Sequence, residues 1–172
     1  FTYTAGIVNR GSLYRSMEEE YYRYDTIPNN NNTFEGNEIH NFGYGIVSIG
    51  IGQLRDGTMY ERFYNNNTEI TNNYIYNCSK AGIFLGYEEN SQIIGNRIRA
   101  IGTTDISDND SYNEINEAAG IWAGGMETDF ARGYNNIGLY ISGNEISDVT
   151  SDWTTHGIRI DQNRNEFADQ DP

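Results

Sequence analysis

The sequence predicts an all-β fold, a right-handed parallel β-helix (solenoid) of about four to five coils with long loops. Three observations predict it. A ten-residue segment centred on an asparagine recurs four times, a glycine-isoleucine strand follows each copy, and the spacers between copies differ in length. Short apolar strands broken by Asn and Gly cannot bury an inner face alone, so they must stack on their neighbours.

The chain opens with AGIV from Ala5, which matches AGIF from Ala81 and AGIW from Ala119 and places the start partway through a coil. MEEEYYRY from Met17 is the one stretch that reads as a short helix. NNNN at 29–32 and NNN at 65–67 precede two coils and read as turns, because Asn tolerates the left-handed backbone region and bonds its own main chain. The repeated segments are TFEGNEIHNF (33–42), EITNNYIYNC (69–78), QIIGNRIRAI (92–101) and YISGNEISDV (140–149). Their central residues are Asn37, Asn73, Asn96 and Asn144.

Three before each asparagine stands Phe34, Ile70, Ile93 or Ile141; two after stands Ile39, Ile75, Ile98 or Ile146. Five after stands Phe42, Cys78, Ile101 or Val149, and all three positions are expected to look inward. The second element reads GIVS from Gly45, GIFL from Gly82, GIWA from Gly120 and GIRI from Gly157. Asparagines at one corner of successive coils are expected to pass amide hydrogen bonds up the stack, which satisfies polar groups where the backbone bends. Cys78 occupies an inward slot, so a buried inert thiol is expected there.

This pattern, N-x-x-I-x-x-N-x-I followed by G-I-x-I, resembles the parallel β-helix repeat of the pectate-lyase-like superfamily, over residues 33–160. The resemblance implies a fold more than an activity. That superfamily includes polysaccharide lyases, glycoside hydrolases, epimerases, carbohydrate-binding modules, tailspikes and adhesins. It also implies that a bound glycan lies along the outer strand face, walled by the loops on either side.

With 172 residues, of which 37% are hydrophobic, residues 1–172 read as a single domain, expected to be part of a larger chain with neighbouring domains. No apolar run is long enough to cross a bilayer, and a basic-then-apolar leader is absent from the N-terminus. No membrane partner is expected; any export signal would lie outside these residues, and the glycan-acting members of the superfamily imply a secreted or cell-surface protein. Lys and Arg total 11 against 25 acidic residues, for a net charge of -14, which argues against nucleic acid. The same excess opposes a polyanionic glycan and favours a neutral polysaccharide or oligosaccharide. One cysteine excludes an intrachain disulfide.

Alternation along the glycine-isoleucine strands turns Ile46, Ile83, Ile121 and Ile158 inward and Val47, Phe84, Trp122 and Arg159 outward, about 4.8 Å apart along the stack. Phe84 and Trp122 are expected to form an exposed aromatic shelf, beside Gly86 and Gly124, on which a pyranose ring stacks. Arg159, Asp161, Trp153 and Glu127 are the expected hydrogen-bonding and flanking partners. The bordering loops also carry Tyr60, Tyr64, Tyr112, Tyr134 and Asp152, and His156 stands at the shelf edge.

Catalytic signatures are sparser. An inverting hydrolase needs two carboxyl groups about 6.5 to 9.5 Å apart, for which Asp161 with Asp152 or Glu127 is the weak candidate pair. A lyase needs a base and a cation, and Arg159 beside Asp161 is the local candidate. Lys80, the sole lysine, reads as a solvated surface charge. No cofactor is expected, although Asp105, Asp108 and Asp110 in DISDND supply oxygens that suit calcium without the spacing of an EF-hand loop. The leading expectation is a non-catalytic carbohydrate-binding region recognising xylan or a β-glucan. Its rivals are a fragment of a β-helix lyase or hydrolase and a structural or adhesive stalk.

Overall fold

A computed structural model describes residues 4–18, 21–50, 63–102, 117–124, 136–151 and 154–161. Among them the chain is all-β, with no helix. Strand β1 (Ala5–Arg10) is followed by β2 (Ser12–Glu18) and β3 (Tyr21–Ile27). Four rounds then follow. They comprise β4 (Thr33–Glu35), β5 (Glu38–His40) and β6 (Tyr44–Ile49); β7 (Asn65–Asn66), β8 (Glu69–Thr71), β9 (Tyr74–Cys78) and β10 (Ala81–Gly86); β11 (Glu88–Glu89), β12 (Gln92–Ile94), β13 (Arg97–Gly102) and β14 (Glu117–Gly124); and β15 (Tyr140–Ser142), β16 (Glu145–Thr150) and β17 (Thr154–Asp161).

Each round contributes one strand to each of three parallel sheets: a five-stranded sheet β1-β6-β10-β14-β17, and two four-stranded sheets, β4-β8-β12-β15 and β5-β9-β13-β16. This topology is compatible with a β-helix or another solenoid. The pairing register is the one expected from the repeat. Phe34, Ile70, Ile93 and Ile141 face one another across one sheet, and Ile39, Ile75, Ile98 and Ile146 across the next. These isoleucines, with Ile46, Ile83, Ile121 and Cys78, form one core. Burial fails only toward the ends, where Phe42 is 37% and Ile158 46% exposed, and where β17 is paired on one side among the described strands. Burial also pushes the Cys78 thiol up to about 11, so it stays protonated and inert as expected.

The asparagine at the centre of each repeat is explained by its bonds. Asn37, Asn73 and Asn96 each donate both the backbone N–H and Nδ2 to Oδ1 of the next asparagine, all at 2.9 Å, ending on Asn144. Nδ2 of Asn73, Asn96 and Asn144 also donates at 2.8 Å to the carbonyls of Phe34, Ile70 and Ile93. The residue before each asparagine, Gly36, Asn72, Gly95 or Gly143, has φ between 54° and 67°. That left-handed corner is open to Gly and Asn at small cost, which accounts for the recurring Gly-Asn and Asn-Asn pairs. Asn96→Ala strips partners from the buried Asn73 N–H and the Ile70 carbonyl. It is expected to cost about 1 to 3 kcal/mol in chemical denaturation; an unchanged midpoint would count against the ladder.

A second corner row lies eight residues upstream of the first, at Asn29, Asn65, Glu88 and Asn136. Asn29 N–H donates to Asn65 Oδ1 at 2.9 Å, Asn65 Nδ2 to Glu88 Oε1 at 2.9 Å, and Glu88 N–H to Asn136 Oδ1 at 3.0 Å. Of the two Asn-rich stretches expected to be turns, 29–32 lies outside any strand and bends at Asn31, whereas Asn65–Asn66 form β7, paired in parallel with β11, and only Asn67 beyond them turns. MEEEYYRY is not a helix. Its described residues belong to an antiparallel pair in which Ser12 faces Ile27 and Glu18 faces Tyr21. Closely spaced tyrosines favour the extended strand over the helix.

Candidate functional site

The outer face of the five-stranded sheet carries the predicted site, and the predicted row is present. Val47 pairs with Phe84, Phe84 with Trp122 and Trp122 with Arg159; Gly124 pairs with Asp161. The expected exposure is not. Phe84 is 3% and Trp122 4% exposed, so the aromatic shelf is a second apolar core rather than a bare platform. Tyr44, Tyr87, Ala81 and Ala119 share this layer, with Ala5, Val47, Ile49 and Tyr64 packed against it. The rings meet edge to face, Tyr44 with Phe84 at 5.9 Å and Phe84 with Trp122 at 6.3 Å between centroids. The physical reason is area: each ring removes about 150 Å² or more from water when covered, and large exposed apolar patches are costly in a soluble chain.

At the far edge of this layer the chemistry turns polar. The Arg159 guanidinium lies 4.3 Å from the Trp122 ring centroid, a cation–π contact. Its Nε donates to Asp161 Oδ2 at 2.7 Å, and Trp122 Nε1 donates to the same oxygen at 3.0 Å. Arg159 Nη1 also pairs with Glu117 Oε2. Arg159, Asp161 and Glu117 keep 23%, 23% and 29% of their side-chain surface exposed. The cluster is therefore half-accessible, carries two carboxylates around one cation, and is fixed in orientation by the indole beneath it.

Of the predicted residues, the fold brings Phe84, Trp122, Arg159 and Asp161 together on one face. Asp152, Trp153, Glu127, Tyr60, Tyr112 and Tyr134, and the calcium candidates Asp105, Asp108 and Asp110, lie outside the described residues. His156 is half-buried opposite Ala119. Lys80 is not a solvated charge. It is half-buried, and burial brings its ammonium down to about 8. Glu117 was not among the predicted residues. Alternation counted back from Trp122 would have put it on the inner face; the period breaks at Gly120, because Ala118 and Ile121 belong to the inner core while Ala119 and Trp122 belong to the outer layer.

The outer face of the β5-β9-β13-β16 sheet carries a second row that the repeat also encodes, at the positions one and three after each ladder asparagine. His40 stacks on Tyr76 at 4.8 Å, Tyr76 meets Tyr74 at 4.8 Å, and Arg97 and Arg99 approach the Tyr74 ring at 5.6 and 5.8 Å. Tyr76 donates to Glu38 Oε1 at 3.1 Å, and Arg97 Nε lies 3.4 Å from Glu145 Oε1. These rings are engaged with one another and with the guanidinium groups, so the row reads as cross-strand stabilisation of the sheet. No family model matches the sequence, and no match was found among curated proteins or solved structures.

Proposed function

We propose that the chain is a right-handed parallel β-helix region of the pectate-lyase-like type that binds a neutral plant-type polysaccharide, xylan or a β-glucan, without cleaving it. Support for the architecture is the residue-for-residue parallel register of three sheets and the asparagine ladder at one corner. In this reading the region works outside the cell or at its surface, within a longer chain.

The observation that carries the binding reading is the Glu117–Arg159–Asp161 cluster on the Trp122 edge. A carboxylate offers about four lone-pair sites, so acceptor capacity for sugar hydroxyls remains on both acids after their protein contacts are counted. The packed indole and guanidinium fix that geometry before a ligand arrives, which lowers the ordering cost of binding. The sugar then contacts the polar edge of the aromatic layer instead of stacking on Phe84.

Calorimetric titration with xylo- and gluco-oligosaccharides tests this. Asp161→Asn keeps an acceptor for the Trp122 indole but removes the charge, and is expected to weaken binding about tenfold or more with the melting temperature nearly unchanged. No heat with any of these oligosaccharides, or wild-type affinity in the variant, would sink the reading. The alternative is a glycoside hydrolase fragment, favoured by the two carboxylates that converge on Arg159 from neighbouring strands. Release of reducing ends that is lost in both Glu117→Gln and Asp161→Asn would replace the binding reading. It ranks second because Arg159 already engages both acids.

A further inference from the structure

Inside the stack, away from the outer-face cluster, lies a polar knot that the proposed function does not use. Asn9, Ser48, Asn65, Thr68, Glu88 and Ser91 are all exposed by 1% or less. Glu88 is its centre. Oε1 accepts from Ser48 Oγ at 2.6 Å and from Asn65 Nδ2 at 2.9 Å, and Oε2 accepts from Ser91 Oγ at 2.8 Å. The outer shell feeds this arrangement: Asn9 Nδ2 donates to Ser48 Oγ at 2.9 Å, and the Thr68 N–H donates to Ser91 Oγ at 3.3 Å.

Among the described residues, every group that faces Glu88 is neutral. From β1 comes Asn9, from β6 Ser48, from β7 Asn65; Thr68 and Ser91 come from the corners before β8 and β12, and Asn136 receives the Glu88 N–H. Arg10, Glu69 and Glu89 stand one residue along the chain from Asn9, Thr68 and Glu88 and are more exposed. No cation pairs with the Glu88 carboxyl among the described residues. An ionised carboxylate in such a place loses its hydration without gaining a counter-charge, at a cost of several kcal/mol. Hydrogen bonds from three or four neutral donors repay part of that cost.

The position makes the choice of side chain pointed. At the same place in the neighbouring repeats stand Asn65 and Asn136, so a neutral amide continues the row and an acid is the exception. A serine hydroxyl can donate or accept by rotating, so Ser48 and Ser91 can serve either protonation state of Glu88.

We infer that Glu88 is a proton-gated core residue: folding favours its neutral form, so acid tightens the middle repeats and rising pH loosens them from within. Burial pushes the Glu88 carboxyl above its ordinary 4.5, against the hydrogen bonds of Ser48, Asn65, Thr68 and Ser91, which pull it down. A carboxyl whose folded value is raised contributes stability that is fully present below the unfolded value and is lost as pH rises through the folded one. Tyr64 and Tyr87, the chain neighbours of Asn65 and Glu88, belong to the outer aromatic layer. The gate therefore borders the face that carries the Trp122 cluster.

The test compares wild type with Glu88→Gln, which keeps the shape and removes the proton equilibrium. The difference cancels the general repulsion of a chain with net charge -14. The variant is expected to match wild type near pH 4 and to melt at least about 3 °C higher near pH 8, the gap opening as pH rises. A gap that does not change with pH, or a variant less stable throughout, would overturn the inference. Carboxyl-carbon NMR on the wild-type chain is the second measurement and needs no variant to fold. A Glu88 midpoint clearly above 4.5 is expected, and one at or below it overturns the inference.

Discussion

Trp122→Ala is expected to lower the unfolding free energy by about 3 to 5 kcal/mol, the range for removing a large ring from a packed core. Trp122 is 4% exposed, meets Phe84 edge to face, lies beneath the Arg159 guanidinium and donates its indole N–H to Asp161. Deletion leaves a cavity in the outer layer and removes one donor from Asp161, although Arg159 keeps that carboxylate paired. Urea denaturation followed by circular dichroism measures it. A loss under about 1 kcal/mol would mean that the ring is peripheral and the outer layer is not a core.

Gly82→Ala is expected to cost about 3 kcal/mol or more, which is large for one methyl group. A Cβ built on Gly82 would stand 2.5 Å from Ile98 Cγ2 and 2.7 Å from the Gly120 carbonyl oxygen. One obstacle is backbone in the next strand, and it cannot move without breaking the five-stranded sheet. Gly6, Gly45 and Gly120 meet the same pair, an isoleucine of the following repeat and the carbonyl of the following glycine. Gly157 is the internal control, because nothing lies within 4 Å of its Cβ position. Gly157→Ala is expected to melt with wild type; equal losses at Gly82 and Gly157 would refute the close-approach explanation.

The glycine-isoleucine element was legible as a strand, and its register followed from matching Ile46, Ile83 and Ile121 across copies. Why glycine precedes the isoleucine was not legible. The requirement arises between repeats, from Ile98 and the Gly120 carbonyl, and no single strand displays it. The ladder asparagines were readable because one residue type recurs at fixed distance from inward isoleucines. Their companion row at Asn29, Asn65, Glu88 and Asn136 was equally readable at eight residues upstream. It was hidden by the abundance of Asn at 29–32 and 65–67 and by the substitution of Glu at 88.

At the site, alternation gave the side of the sheet on which Phe84, Trp122, Arg159 and Asp161 fall. It gave no information on what lies above that side. Two periods coexist in such a chain, one that assigns faces and one that assigns cover, and only the first is written in local sequence. The same limit applies to Glu117, whose strand begins three residues before the recognised Gly120. Sequence indicated that Arg159 and Asp161 share a face; the structure adds that Glu117 is a second carboxylate on the same guanidinium, so that the cluster carries one cation and two anions.

The successive ladder bonds join asparagines 36, 23 and 48 residues apart, yet every one is 2.9 Å long. The shortest interval is thus a complete round, and the other two are 13 and 25 residues longer. Variation in segment length is absorbed without shifting the register of any sheet. The length of an interval is therefore decoupled from the framework, so natural drift or deliberate grafting can lengthen or shorten a round while the hydrogen-bonded spine is inherited unchanged.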